Sequence, residues 1–202
     1  MAVDLNCPAC GAAAPSRLRY AKLLVCPHCQ TSLFLEDEAV RNVGERAALT
    51  EMPSLLTLGH RFRFRHWRFE TYGRVRFDYG DGIWDEWWVV LDDGEGRWVS
   101  VDEGDIAIEG PLPYEGTVPS YDALRIGATV TFAEQQVTIS EKNESTCIGL
   151  EGELPEVIRP GDIHRYVHLS GPRGLLLTLE FHDGKVDAYK GIWVDPFEIE
   201  AL

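Results

Sequence analysis

Four cysteines within the first thirty residues constrain this chain more than any other feature. They read Cys7-Pro8-Ala9-Cys10, then fifteen residues, then Cys26-Pro27-His28-Cys29. A C-x2-C pair followed by a second at that spacing is a metal-site pattern. Four thiolates are one standard tetrahedral ligand set for structural zinc, and they leave no open position for a substrate. Pro8 and Pro27 preset φ for a tight knuckle, and Gly11 can take the positive φ needed where the chain leaves the first one. Two disulfides would require an oxidising compartment. A redox pair would sit in a βαβ setting that the sequence lacks. Iron suits the same four sulfurs. The reading adopted is one structural zinc ion held by Cys7, Cys10, Cys26 and Cys29 in a ribbon over residues 1–35. Its short strands are expected at Leu18-Arg19-Tyr20, Lys22–Val25 and Leu33-Phe34-Leu35. A segment that short cannot bury enough apolar surface to fold without its metal.

Charge and hydropathy narrow the remainder. The net charge of −14 repels nucleic acid and anionic lipid as a whole. Arg17, Arg19 and Lys22 form a small basic exception on the ribbon; three cations on a hairpin read as a solvated face, and nucleic acid is not the expected partner. No apolar run reaches the ~20 residues that span a bilayer. Met1-Ala2-Val3-Asp4 has no charged or apolar leader character. Membrane insertion is therefore not expected, and the cytoplasm is the expected location. The fifth cysteine, Cys147, reads as a small buried hydrophobe in a strand.

Residues 36–57 read as a linker, with the acidic run Glu36-Asp37-Glu38 and a short helix near Glu45–Leu49. From Leu58 onward turn residues recur about every ten positions between aromatic and β-branched runs. A weak internal repeat runs through this part. Leu58-Gly59, Phe62, Phe64, Phe69 and Thr71 match Ile126-Gly127, Val130, Phe132, Val137 and Ile139, each 68 positions later. Arg65–Arg68 and Ala133–Gln136 are the corresponding four-residue turns. The expected fold is mainly β: the ribbon, then two related antiparallel β-sandwich or partly open barrel units at 58–113 and 126–202. A Pro/Gly-rich linker at 114–125 joins them.

Two runs carry a resemblance. The first is Gly73-x-Val75, Trp84-Asp85-Glu86-Trp87 and Trp98-Val99-Ser100-Val101-Asp102. The second is Gly152-Glu153-Leu154-Pro155, Pro160-Gly161-Asp162, Tyr166-Val167-His168-Leu169 and Gly174–Glu180, ending at Gly191. Both resemble an uncharacterised bacterial family, domain of unknown function 4178, in two tandem copies behind a zinc ribbon. The resemblance implies no activity. It implies only a context, links to membrane-stress or polyamine-related systems.

Three stretches are candidate sites. In the acidic-aromatic stretch, Asp78, Asp81, Trp84, Asp85, Glu86 and Trp87 combine carboxylates with indoles, a set that can hold a cation. His164, His168 and His182 are the second group. The first two stand about 13 Å apart along a strand, too far to share one metal. The third stretch, His60–Arg68, alternates basic and aromatic residues, as single-stranded nucleic-acid binders do. Period two, however, puts Phe62 and Phe64 inward and the arginines outward, where acids of the same chain can pair with them. No nucleophile elbow, phosphate loop, dinucleotide fingerprint or H-E-x-x-H motif occurs. The sequence thus reads as a non-enzymatic scaffold or adaptor with a protein partner that contacts exposed tryptophans. The alternative is a small cationic ligand held at the acidic tryptophan stretch.

Overall fold

The computed structural model describes residues 4–36, 39–50, 52–182 and 184–202. Met1–Val3 and the Asp37-Glu38 pair of the acidic run lie outside the described residues. The strands, in chain order, are β1 (Leu23–Val25), β2 (Thr31–Glu36), β3 (Ala39–Arg46), β4 (Arg61–Phe64), β5 (Trp67–Asp78), β6 (Ile83–Leu91), β7 (Gly96–Asp102), β8 (Asp105–Pro111), β9 (Thr129–Phe132), β10 (Gln135–Leu154), β11 (Ile163–Ser170), β12 (Leu175–His182), β13 (Lys185–Val194) and β14 (Ile199–Ala201). Among the described residues no helix is long and apolar enough to cross a membrane.

The strands form one antiparallel sheet whose central part closes on itself. The order β5-β6-β7-β8-β13-β12-β11-β10 returns to β5 through a β5–β10 pairing, giving a ring of eight strands. The two runs of strands therefore share one ring. They meet at two seams, β5 with β10 and β8 with β13. Glycines make both seams possible. Gly73 and Gly152 face each other across the first, and a Cβ on either would lie 2.2–2.3 Å from a carbonyl oxygen of the opposite strand. At the second seam a Cβ on Gly191 would lie 2.1 Å from the Ile108 carbonyl.

Two hairpins stand at the positions that the sequence matches. β4 with the start of β5, and β9 with the start of β10, are equivalent hairpins 68 positions apart, Phe64 pairing with Trp67 and Phe132 with Gln135. Each is preceded by the same loop: Gly59 N–H donates to Thr71 O, and Gly127 N–H donates to Ile139 O. Both loops are two residues long, shorter than the four-residue turns expected. Positive φ at Arg65 (54°), and at Ala133 and Glu134 (46° and 62°), tightens them. Further along, Asp102 pairs with Asp105 and His182 with Lys185, so β7–β8 and β12–β13 correspond at a spacing of 80.

Alternation sorts the side chains. One face of the ring strands points inward and carries Val75, Phe77, Trp84, Trp88 and Trp98. The other face packs outward into two clusters. Phe62, Phe64, Phe69, Trp87, Val89 and Ile106 make one. Phe132, Val137, Ile139, Val167, Leu169 and Leu177 make the other.

The cysteine module closes one end of the ring. β1 pairs with β10, Leu23 opposite Leu154, and Leu18, Leu23 and Val25 join the inward cluster. The expected strand at Leu18-Arg19-Tyr20 is a turn, in which Ala21 N–H donates to Leu18 O. The reason lies across the interface: the buried Glu153 carboxylate accepts from Ser16 Oγ (2.8 Å), Arg17 N–H (2.9 Å) and Leu18 N–H (2.7 Å). Amides committed to a carboxylate are not free for a ladder. The expected helix near Glu45–Leu49 is likewise absent. Glu45 and Arg46 end β3, while Ala47 N–H donates to Gln30 O and Ala47 O accepts from Leu150 N–H. Those bonds tie the segment to its neighbours instead of to its own preceding turn.

Glu153→Ala leaves the Arg17 and Leu18 amides and the Ser16 hydroxyl unpaired at a buried contact. Each hydrogen bond to a charged group contributes about 1.5–3 kcal/mol. The expected result is faster hydrogen exchange at Arg17 and Leu18 and a Tm lowered by about 10 °C or more, read by exchange mass spectrometry and thermal scanning.

Candidate metal centre and barrel interior

The two knuckles are built alike. Gly11 N–H donates to Cys7 O (2.8 Å) and Gln30 N–H to Cys26 O (2.9 Å), with Gly11 and Gln30 at φ 74° and 61°. These turns bring the four sulfurs within 4.8 Å of one another. Across the knuckles, Cys7 Sγ lies 3.7 Å from Cys29 Sγ, and Cys10 Sγ lies 3.8 Å from Cys26 Sγ. A tetrahedron with metal–sulfur bonds of about 2.3 Å has an edge of about 3.8 Å. Two of the six sulfur–sulfur distances match that edge and none of the six exceeds 4.8 Å, so the four thiols are grouped closely enough to close on a tetrahedral metal ion. Thr31, through its hydroxyl and its amide, pulls the Cys29 thiol down to about 6. Cys7 and Cys26 are buried and Cys10 is exposed. Cys147 lies elsewhere, buried in the inward cluster, where desolvation pushes its thiol up to about 12.

The acidic-aromatic stretch does not come together. β6 passes its residues alternately to the two faces of the wall. Asp85 faces outward and is bound by Arg76, whose Nε and an Nη lie 2.7 and 2.9 Å from its oxygens. Arg74 approaches Asp85 at 3.6 Å and lies over the Trp87 ring at 4.8 Å. The second terminal nitrogen of Arg76 donates to Thr50 O. Trp87 is fully buried in the outer cluster. Asp78 accepts from Gly80 N–H in a turn that leaves Asp81 exposed. The other two residues, Trp84 and Glu86, point into the barrel. The expected six-residue surface is therefore corrected, because strand alternation divides it and two arginines neutralise its central carboxylate.

The interior holds chemistry that the stretch did not announce. Glu86 accepts from Trp84 Nε1 (3.1 Å) and Ser100 Oγ (3.0 Å). Glu109 accepts from Thr178 Oγ1 at 2.9 Å. Glu141 accepts from Tyr166 O–H (2.6 Å) and pairs with His168 Nδ1 (3.1 Å). Glu180 and Glu156 accept no hydrogen bond among the described residues. With Glu86, His164, Phe77 and Trp98 they line a cavity of about 20 Å³. Burial pushes the Glu86 carboxyl up to about 7, aided by the charge of Glu109. Burial also raises Glu180 well above the usual carboxylate range, with Glu156, Glu86, Glu109 and Asp187 adding to it. Glu109 and Glu156 are raised by the same cause. The three histidines go to separate partners: His164 against Phe77, His168 on Glu141 and His182 on Asp187. Sequence reading missed Glu109, Glu156 and Glu180. The only signal was an acid at an inward position, as at the end of Leu-Thr-Leu-Glu180.

The basic-aromatic strand is accounted for within the chain. Phe62 and Phe64 are buried, while Arg61 pairs with Asp92, Arg63 with Glu200 and Arg65 with Glu198. Outside the ring, a groove of about 500 Å³ runs between Met52, Leu55, Ile83, Val101, Ile106 and Pro196. Beside it Phe197 is 93% exposed, on a turn fixed by Asp195 Oδ1, which accepts from Phe197 N–H. The tryptophans are not the exposed contact material expected: Trp87, Trp88 and Trp98 are buried, and Trp193 is the one exposed large enough to note, at 41%.

Glu86 supplies a pH test. Its carboxyl titrates near 4.5 when exposed and near 7 when folded. The folded state thus binds its proton more tightly, and the resulting stabilisation is complete below about pH 4.5 and lost as pH rises through 7. The span corresponds to about 3 kcal/mol. Glu86→Gln keeps the acceptor for Trp84 and Ser100 without the charge. Thermal melts should show the variant about 5–10 °C more stable than the parent at pH 8 and close to it at pH 4.5.

No curated protein matches this chain, and no solved structure does. One family does, described as a domain of unknown function (DUF4178), over residues 57–196. That span takes in both halves of the ring and stops short of the cysteine module. A match over well more than half of the sequence settles membership: the chain belongs to the DUF4178 family.

Proposed function

We propose that the protein is a zinc-containing, non-catalytic adaptor. Its cysteine module is a structural zinc ribbon, and its barrel presents the groove beside Phe197 to a protein partner. The observation that carries this reading is Phe197, a large aromatic left 93% exposed on a fixed turn at the rim of an apolar groove. A contiguous exposed apolar surface of this kind marks interaction sites, and a central aromatic anchor is what hot spots are made of. The partner is an apolar-anchored segment of net positive charge. The chain carries −14, Glu103 lines the groove, and its one arginine, Arg76, is already neutralised by Asp85. Zinc is the ion that four thiolates with no open position suit, and bound there it would hold the two knuckles together. A reducing cytoplasm, which keeps the thiols free, belongs to the same reading.

A second reading rests on Glu180 and Glu156, carboxylates without a donor at the interior cavity. Under it, the barrel takes up a cation. A cavity of about 20 Å³ admits a single water-sized guest, which favours an ion such as calcium over spermidine. Titration of tryptophan fluorescence with both compounds separates them. A spectrum unchanged at millimolar levels of each removes this reading.

Metal analysis of the purified protein should return about one zinc per chain. The quadruple Cys→Ser variant at positions 7, 10, 26 and 29 should return none while keeping its β-rich circular dichroism. Immobilised protein should retain a stoichiometric partner from extracts of its native host at low salt. Phe197→Ser should reduce that retention at least tenfold without changing Tm by more than about 2 °C. A partner retained equally by the variant, or none at low salt, overturns the adaptor reading.

A further inference from the structure

The two halves of the ring differ at one edge. β4 and β9 occupy equivalent places, 68 positions apart, each the outer strand of a two-residue hairpin. β4 is covered on its far side by β14, with Ile199, Glu200 and Ala201 opposite Phe64, Arg63 and Phe62. Among the described residues β9 pairs only with β10. In a two-residue hairpin the residues flanking the turn bond to each other, so the next residue outward turns its N–H and C=O away from the partner strand. In β4 these outward-facing residues are Arg63 and Arg61, and Leu202 N–H indeed donates to Arg61 O. In β9 they are Thr131 and Thr129. Among the described residues no backbone bond from outside the hairpin reaches either.

We infer that the β9 edge is where a second copy of this chain docks, β9 pairing with β9 of the second copy antiparallel about a two-fold axis at Val130. The covered edge shows what chemistry each site accepts. Arg63 of β4 meets Glu200 of its covering strand, and Arg65 in the turn meets Glu198 just before that strand. β9 replaces Arg61, Arg63 and Arg65 with Thr129, Thr131 and Ala133. An acidic strand such as β14 of another copy would find no counter-charge there. A neutral strand with threonine outward and an apolar residue inward fits, and Thr-Val-Thr-Phe is itself such a strand. With the axis at Val130, Thr129 lies opposite Thr131 of the second copy and the reverse. Each of these two pairs exchanges both of its N–H···O bonds. Val130 meets Val130 of the second copy on the apolar face. Thr–Thr and β-branched cross-strand pairs are favourable. β9 also lacks the lysine, proline or bulge with which exposed edges are usually blunted.

Four residues of strand bury well under the ~1,200 Å² of a stable interface, and two copies of charge −14 repel. The dimer is accordingly weak and assembles at micromolar concentrations or above in moderate salt. Sedimentation of the full, metal-loaded chain across about 1–200 µM should show a monomer–dimer equilibrium that strengthens with salt. Thr131→Pro removes a donor that bonds nothing within the hairpin, and should weaken the dimer at least tenfold while leaving Tm nearly unchanged. Thr131→Lys, which brings two cations to the axis region, or four together with Thr129→Lys, keeps the test open if the proline variant misfolds. It should weaken the dimer as strongly. A monomer at every concentration overturns the inference. So does a dimer that Thr131→Pro leaves intact, or one that is lost on Ile199→Asp instead, which would mean exchange of β14.

Discussion

Glu153 holds the cysteine module to the barrel with one carboxylate. It sits next to Gly152, at the seam where β5 and β10 close the ring, and it takes the amides of Arg17 and Leu18 and the hydroxyl of Ser16. A buried charge is tolerated when hydrogen bonds replace the water it has lost. Here the donors come from a loop that has no ladder of its own. The two parts consequently fix each other: the seam positions the carboxylate, and the carboxylate shapes the loop between the knuckles. Leu18, Leu23 and Val25 then complete the core that Val75, Phe77 and Trp88 line from the other side.

The two runs of strands pair at corresponding spacings and differ in chemistry. Glu86 stands opposite Ser100 in one half, while the equivalent pair in the other half is Tyr166 and Glu180. Glu109 corresponds in the same way to Tyr189. The carboxylates thus converge from both halves without being copies of one another. Burial, with neighbouring acids adding to it at Glu86 and Glu180, raises the carboxyls of Glu86, Glu109, Glu156 and Glu180 together.

Much of this was legible beforehand, and the illegible parts share a cause. The cysteine spacing specified the knuckles, because their geometry is local. The hairpins at 58–71 and 126–139 were readable because strand alternation and a turn glycine are local too. Gly73, Gly152 and Gly191 stood out as landmarks, but their reason, a carbonyl on another strand, lies across the seams. Residues 18–20 and 45–49 were misread because Glu153 and Leu150, far away in sequence, claim their backbone. The stretch 78–87 was read as one surface because sequence proximity hides which side of a wall each residue faces. Glu109 and Glu180 were invisible for the opposite reason: each is alone in its segment, and only ring closure brings them together.

The covering of β4 by β14 has a consequence for how the chain is made. Arg63 and Glu200 are separated by 137 positions. During synthesis β4 leaves the ribosome with its far edge bare and keeps it bare until almost everything described here has been added. The nascent chain thus passes through an interval in which two equivalent edges are open at once, β4 and later β9. Arg61 and Arg63 of β4, with Arg65 in the adjoining turn, guard it during that wait, since like charges deter pairing between neighbouring nascent chains on one message. On this view the ion pairs with Glu198 and Glu200 are the end state of a protective device whose first service is kinetic.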